Sequence, residues 1–102
     1  MDKAFSESIR DRLLHIGDAD RTYATASEHR GKARYGQAAK HLEIAADVYL
    51  SVSLGLLAKK TYLEAAECYE HIENSDSANR CALRAQSLPD YWTEADHDAK
   101  WG

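Results

Sequence analysis

The chain has 102 residues, of which 44% are hydrophobic, and its formal charge at pH 7 is −4. A chain of this length predicts one domain with a modest core, and the negative charge disfavours nucleic acid as a partner. The two cysteines are too few for a disulfide scaffold, and the charged N-terminal stretch lacks the apolar segment of a signal peptide. No run approaches the ~20 apolar residues of a membrane-spanning helix. We therefore expect a cytoplasmic protein with reduced thiols and no membrane span.

Apolar residues at helical spacing predict five helices and no strand. The first helix is expected over about residues 3–16. The residues on its inner face are Phe5, Ile9, Leu13 and Ile16. Gly17 and Asp18 predict the end of this helix, because glycine is common just after helix C-termini. A second helix is expected over about residues 19–31, with Ala19, Tyr23 and Ala26 on one face.

The third and fourth helices carry the clearest apolar stripes, with steps of four and three residues. They are expected over about residues 34–54 and 56–73. The stripe of the third helix is Ala38, Leu42, Ala45, Tyr49 and Val52. That of the fourth is Ala58, Tyr62, Ala65, Tyr69 and Ile72. The third helix has further apolar residues at Ile44, Val48, Leu50 and Leu54, so its surface needs a cover.

A fifth helix is expected over about residues 77–88, and Pro89 ends it. Residues 1–88 are therefore predicted to form a single all-α domain of antiparallel helical hairpins. Residues 89–102 show no periodicity, and we expect a partly mobile C-terminal tail whose Tyr91 and Trp92 dock onto the domain.

Residues 39–72 resemble one tetratricopeptide repeat, a pair of antiparallel helices in about 34 residues. The matching residues of the first helix are Leu42, Ala45, Ala46 and Tyr49, and those of the second are Ala58, Tyr62 and Ala65. The long second helix, with YLEAAECYE at residues 62–70, is similar to repeats of soluble NSF attachment proteins. The motif's closing proline is absent, and Glu70 stands in its place. The resemblance implies a right-handed array of hairpins; an unrelated small helical bundle is the alternative.

The resemblance also implies that a peptide or helix binds in a groove formed by the first helices of the hairpins. The groove-facing positions would be Lys40, Glu43, Asp47, Leu50 and Ser51. On the fifth predicted helix, Arg80 and Arg84 would add positive charge at one end of the groove. A carboxylate clamp is not supported, because Ile44 stands one turn after Lys40, where that clamp needs an asparagine.

One short pattern, two alanines followed by an acid and a tyrosine, occurs twice. The copies begin at Ala45 and Ala65, 20 residues apart. Because 20 residues are fewer than one tetratricopeptide repeat, the copies would occupy different positions of one hairpin. The pattern therefore indicates small residues packed against rings on both helices.

Two arginine–histidine pairs suggest a different class of function. Arg10 and His15 are spaced as Arg-x4-His, and Arg34 and His41 as Arg-x6-His. Both spacings resemble the active-site motif of HEPN ribonucleases, in which histidine would move a proton and arginine would hold a phosphate. Neither pair carries the polar residue that commonly follows the arginine. The alternative is a solvated Arg10 and a His15 that suits a helix C-terminus.

Two further groups of residues are candidates, one for a zinc site and one for a basic binding surface. Cys68, His71 and Cys81 could supply three zinc ligands, but both cysteines lie on or beside inward stripes, where we expect small buried side chains. We therefore expect no metal and no cofactor. The basic stretch 29–41 could meet an acidic peptide or a phosphate backbone, or it could be an ordinary solvated loop and helix start.

The sequence thus predicts a non-enzymatic all-α interaction module whose partner is another protein or a peptide. Two alternatives stay open. One is a small HEPN-like ribonuclease or an inert relative of such an enzyme. The other is a homodimeric helical regulatory protein, in which a second copy covers the apolar surface of the third predicted helix.

Overall fold

The structure, a computed structural model, describes residues 3–88, with side chains from Arg10 onward. The described residues form four α-helices and no strand, which confirms the predicted all-α class. The helices are α1 Lys3–Gly31, α2 Tyr35–Ser51, α3 Gly55–His71 and α4 Ser75–Gln86. The predicted tail, with Tyr91 and Trp92, lies outside the described residues, and so do the side chains of Phe5 and Ile9.

The first two predicted helices are one, so the predicted break at Gly17 and Asp18 is wrong. Helix α1 runs through both residues for 29 residues in all. One glycine inside a helix costs only about 1 kcal/mol relative to alanine. Packing offsets this cost, because Ile16 and Ala19 on either side of the glycine are both buried in the core. The described residues therefore contain four helices instead of the five predicted.

Helices α1, α2 and α3 each end in a Schellman turn whose left-handed residue is not glycine. Ala33, Ser53 and Glu73 have φ values of 58°, 66° and 58°. In the first turn, the amide of Arg34 donates to the His29 carbonyl at 2.8 Å and the Ala33 amide donates to the Arg30 carbonyl at 3.0 Å. The same two hydrogen bonds recur in the other two turns. They satisfy carbonyls that would lack a partner at a helix end.

The described chain has a structural period of 20 residues. The left-handed residues lie 20 positions apart, and so do the first residues of α2, α3 and α4. Ala45 and Ala65 are therefore equivalent in their own helices, as are Tyr49 and Tyr69, whose carbonyls accept the same turn hydrogen bond. The repeated Ala-Ala-acid-x-Tyr pattern thus marks successive single helices instead of two different positions of a hairpin.

Each helix packs mainly on the helix before it and the helix after it in the chain. Neighbouring helices are antiparallel. The Arg12 guanidinium near the start of α1 donates to the Val52 carbonyl just after α2, at 2.9 Å. Tyr69 near the end of α3 likewise donates to Glu43 in the first half of α2. Lys59 near the start of α3 donates to the Leu88 carbonyl just after α4. Alternate helices are consequently parallel. The array has two long surfaces, which we call the α1/α3 surface and the α2/α4 surface after the parallel helices that form them.

The core consists largely of alanines packed against a few large side chains. The stripe predicted for the third helix is buried throughout, and so is that of the fourth helix up to Tyr69. Equivalent positions are small in successive helices, as at Ala45, Ala65 and Ala85, all fully buried. Small residues let neighbouring helices approach closely, and Leu42 and Tyr62 fill the remaining space.

Several apolar residues predicted to be inward are exposed. Leu13, one residue after Arg12, is 57% exposed. Ile72, predicted on the inward stripe of its helix, is also exposed. Of the further apolar residues predicted to need a cover, Ile44 and Leu50 are exposed, whereas Leu54, at the turn that precedes α3, is buried. Among the described residues, no helix is long and apolar enough to cross a membrane.

Candidate interaction surfaces

The α2/α4 surface brings together four of the seven residues predicted to line a groove. Glu43 and Asp47 lie one turn apart on α2, opposite Arg80 and Arg84 on α4. Arg80 Nη2 lies 2.7 Å from Glu43 Oε1. Arg84 Nη1 lies 3.5 Å from Asp47 Oδ1 and 3.9 Å from Glu43 Oε2. The two parallel helices are therefore joined by a ladder of ion pairs that crosses the surface.

Two tyrosines of α3 form the floor beneath this ladder. The Tyr69 hydroxyl donates to Glu43, and the Tyr62 hydroxyl donates to Asp47. The guanidinium of Arg80 lies 5.9 Å from the centroid of the Tyr69 ring, close enough for a cation–π interaction. Each acid on α2 is thus held from below by a phenol and from the side by an arginine.

The ionisation of these groups follows from their partners. Burial by itself would raise the pKa of Glu43, but hydrogen bonds from Tyr69 and Arg80, with the charge of Arg80, outweigh it and lower that pKa. Burial, followed by the hydrogen bond to an acid, raises the pKa of Tyr62 and Tyr69 to about 12. At neutral pH the acid is therefore charged and the phenols keep the protons that they donate.

The other three predicted groove residues lie on α2 beside the ladder. The Ser51 hydroxyl donates to the Val48 carbonyl at 2.6 Å, so its hydrogen is used within its own helix. Lys40 is exposed, and no described residue pairs with its ammonium group. Leu50 is 43% exposed and offers apolar surface one turn beyond Asp47.

The α1/α3 surface repeats the same chemistry with different residues. The Tyr23 hydroxyl donates to both oxygens of Glu64, at 2.7 and 3.0 Å. Arg30 Nη2 lies 3.0 Å from Glu67 Oε2, and Arg30 Nη1 lies 3.9 Å from Glu64 Oε2. These contacts join the C-terminal halves of the two parallel helices.

Toward the other end of this surface, a cavity of about 250 Å³ opens between the two helices. It is lined by Asp20, Tyr23, Tyr49, Leu57, Lys60 and Thr61. The Tyr49 hydroxyl reaches up from α2 and donates to Asp20. Burial, followed by hydrogen bonds to Glu64 and Asp20 respectively, raises the pKa of Tyr23 to about 12 and also raises that of Tyr49.

The amino-acid sequence does not predict this cavity. An acid and a tyrosine three residues apart, as in Asp20 and Tyr23, are a weak signal. Their role depends on Tyr49, which comes from another helix, and helical spacing alone does not show that these three residues meet.

The two arginine–histidine pairs do not converge on a shared cleft within the described part of the chain. Arg10 and His15 are both exposed, and the shallow depression beside His15 is lined by Arg12. His41 Nδ1 lies 2.9 Å from the carbonyl oxygen of Gln37 in its own helix, and the His41 ring centroid lies 5.2 Å from that of His29. No described contact joins Arg34 to His41.

Structural contacts account for the cysteines and for part of the basic stretch. Cys68 and Cys81 are buried free thiols, and burial raises the pKa of both. His71 instead stacks on Tyr35, with ring centroids 4.0 Å apart. Among the described residues, no group of three or more histidine, cysteine or acidic side chains could hold a metal ion. In the basic stretch, Lys32 pairs with Glu28 at 3.2 Å.

The two surfaces therefore differ in what they present to solvent. The α2/α4 surface is bridged by charges that neutralise one another, with exposed leucine and isoleucine beside them. The α1/α3 surface is bridged at one end and open at the other. Comparison of this chain with protein-family models, with curated proteins and with solved structures finds no match.

Proposed function

We propose that this protein is a non-enzymatic interaction module that binds a peptide or helix of another protein along the α2/α4 surface. The observation that carries the proposal is the ladder of ion pairs between Glu43, Asp47, Arg80 and Arg84 on two parallel helices. In the mode implied by the tetratricopeptide resemblance, α2 and α4 are the first helices of successive hairpins and α3 is the second helix between them.

The ladder suits binding because its charges are satisfied before a partner arrives. The side chains of Arg80, Arg84 and Asp47 are each about half exposed. A partner can therefore add hydrogen bonds to them without leaving a buried charge unpaired. The phenols beneath hold the acids in place, so binding requires little change in the backbone.

Apolar anchors for the partner lie on α2 next to the ladder. Leu50 and Ile44 are 43% and 54% exposed, and they lie on either side of Asp47 along the helix. Buried apolar anchors surrounded by polar contacts are the usual arrangement in protein interfaces.

The experiment is affinity capture from the native host, followed by a comparison of two leucine variants. Leu50→Glu places a charge beside the ladder and should weaken capture at least about tenfold, as loss of a central apolar anchor does. Leu63→Glu is the matched control, because Leu63 on α3 is also 43% exposed and lies on neither helix of the α2/α4 surface. Both variants should unfold at nearly the same urea concentration as the parent, as exposed sites allow.

Three outcomes separate this proposal from its alternatives. Equal capture by Leu50→Glu and the parent would show that the partner does not use the α2/α4 surface. Recovery of the chain itself, with a dimer in sedimentation at micromolar concentration, would support the homodimeric alternative. Cleavage of RNA that is lost in His15→Ala or His41→Ala would make the protein an enzyme and overturn the proposal.

A further inference from the structure

We infer that the cavity between α1 and α3 is a second binding site, and that it takes the cationic side chain of a lysine or arginine from a polypeptide. The cavity lies on the surface opposite the ion-pair ladder. Three helices line it: α1 contributes Asp20 and Tyr23, α2 contributes Tyr49, and α3 contributes Leu57, Lys60 and Thr61. The site therefore exists only when the three helices are packed together.

The hydroxyl groups of the cavity wall have already donated their hydrogens. The Tyr23 hydroxyl donates to Glu64, the Tyr49 hydroxyl donates to Asp20, and the Thr61 hydroxyl donates to the Leu57 carbonyl at 2.7 Å. A hydroxyl has one hydrogen to donate and two lone pairs to accept. With their hydrogens used, these three oxygens can only accept a further hydrogen bond, so a complementary ligand must supply hydrogen-bond donors.

Two acids, Asp20 and Glu64, place negative charge on this part of the wall, and Glu64 also lies 3.9 Å from Arg30. The Asp20 carboxylate accepts a hydrogen bond from Tyr49. Glu64 lies behind Tyr23 at hydrogen-bond distance. The raised pKa of Tyr49 follows from burial first, and the negative charges of Asp20 and Glu64 act in the same direction. An ammonium or guanidinium group matches both the charge and the acceptors.

The remaining surface suits the aliphatic part of such a side chain. Leu57 and the rings of Tyr23 and Tyr49 provide apolar and aromatic contact, and an aromatic face also attracts a cation. The volume of about 250 Å³ lies below the range of about 300–1,000 Å³ that is usual for whole small-molecule ligands. The cavity is therefore of a size for one side chain.

Among the described residues that line the cavity, Lys60 is the one whose side-chain hydrogen-bond donors are not used by another described residue. A substitution at Lys60 therefore tests the inference. Lys60 is exposed, and within residues 3–88 its ammonium group has no partner. At the rim it repels an incoming cation and would attract an anion. A change of charge at Lys60 therefore moves the affinities for the two kinds of ligand in opposite directions, without altering the core.

The test is a titration of the isotope-labelled full chain with Nα-acetyl-lysine-N-methylamide, followed by amide chemical shifts. Its matched probe is the uncharged norleucine analogue. We expect saturable shifts at Tyr23, Tyr49 and Thr61 with the lysine probe and binding at least about threefold weaker with norleucine, the range for an exposed charge pair. Lys60→Glu should tighten the lysine probe by a similar factor.

Asp20→Asn should weaken the lysine probe at least about threefold. Asp47→Asn is its control, because Asp47 also accepts a hydrogen bond from a tyrosine, on the opposite surface, and it should leave the titration unchanged. The inference is overturned by equal affinity for norleucine, by loss of binding in Lys60→Glu, which indicates an anion site, or by no saturable shift at any of the three amides. Lys60→Glu changes only an exposed residue and should leave the protein folded. It therefore tests the inference even if Asp20→Asn unfolds the protein.

Discussion

Tyrosine hydroxyls tie the helices together at the scale of single residues. Four described tyrosines each donate a hydrogen bond to a carboxylate on a helix other than their own. The pairs are Tyr23 with Glu64, Tyr49 with Asp20, Tyr62 with Asp47 and Tyr69 with Glu43. Alanine-rich stripes by themselves do not determine the register between neighbouring helices, because a shift along the helix axis brings one alanine into the place of another. A hydrogen bond to a charged acceptor has one correct position, so these pairs set the register.

Tyr62 is the residue at which core packing and this hydrogen bond can be separated. It is 1% exposed and has the largest side chain among the fully buried residues. Tyr62→Ala should lower the free energy of unfolding by about 3 kcal/mol or more, as large core truncations do. Tyr62→Phe keeps the ring, loses the bond to Asp47, and should cost about 1 kcal/mol. Urea denaturation measures both.

The control for Tyr62→Ala is Tyr35→Ala, at the first position of α2. Tyr35 is only partly buried and stacks on the exposed His71, so its loss should cost about 1 kcal/mol. If Tyr62→Ala costs no more than Tyr35→Ala, Tyr62 does not occupy the centre of the core as described.

At the scale of the element, α1 shows how tertiary packing overrides a local signal. Gly17 followed by Asp18 is a typical helix stop, and the predicted break followed from it. The helix continues because the face on either side of the glycine packs against α2. By contrast, the true helix ends at Ala33, Ser53 and Glu73 lack glycine, so the most common sequence signal for a left-handed C-terminal residue is missing there.

Gly17→Ala distinguishes one continuous helix from two. A side-chain carbon at this position would meet only the end of the Arg21 side chain, at 3.8 Å, which is ordinary contact. Within a helix, the change should therefore raise the free energy of unfolding by about 1 kcal/mol. If Gly17 adopted a left-handed turn, alanine would destabilise the protein instead. Urea denaturation gives the sign.

Ala33→Gly should also stabilise the protein, for the opposite reason. Ala33 has a φ of 58°, where a side-chain carbon crowds the following carbonyl and glycine does not. We expect a gain of up to about 1 kcal/mol in urea denaturation, reduced by the greater freedom of glycine in the unfolded chain. Ala24→Gly, at an exposed position inside α1, is the control and should cost about 1 kcal/mol. A loss in both variants would contradict the left-handed turn.

At the scale of the whole molecule, the buried phenols and thiols predict a loss of stability in alkali. Burial is the main cause that raises the pKa of Tyr23, Tyr62 and Tyr69 from 10.0 to about 12. Burial likewise raises the pKa of Cys81 from 9.0 to about 11. Between the unfolded and folded values, the folded state holds more protons. The free energy of unfolding must therefore fall as pH rises through this window.

The expected loss begins near pH 9 with Cys81 and steepens through the tyrosine window, from about pH 10 to 12. Urea denaturation at a series of pH values measures it, and ultraviolet absorbance of ionised tyrosine follows the phenols directly. Cys81→Ala should make the loss between about pH 9 and 10 smaller, and Cys68, whose pKa burial also raises, should account for the part that remains. A free energy of unfolding that stays constant between about pH 9 and 11 would show that these groups are exposed.

The amino-acid sequence alone predicts the all-α class, the spans of α2, α3 and α4 to within a few residues, and the buried stripes through Ala45 and Ala65. These follow from apolar residues at helical spacing, a local property of the chain. The continuity of α1 across Gly17 and the contacts between tyrosines and acids needed the folded molecule, because both depend on side chains from helices far apart in sequence. The cavity at Asp20 likewise forms only where three helices meet. The turns of the 20-residue period are local, but they lack the glycine that usually marks a left-handed residue, so helical spacing did not reveal them.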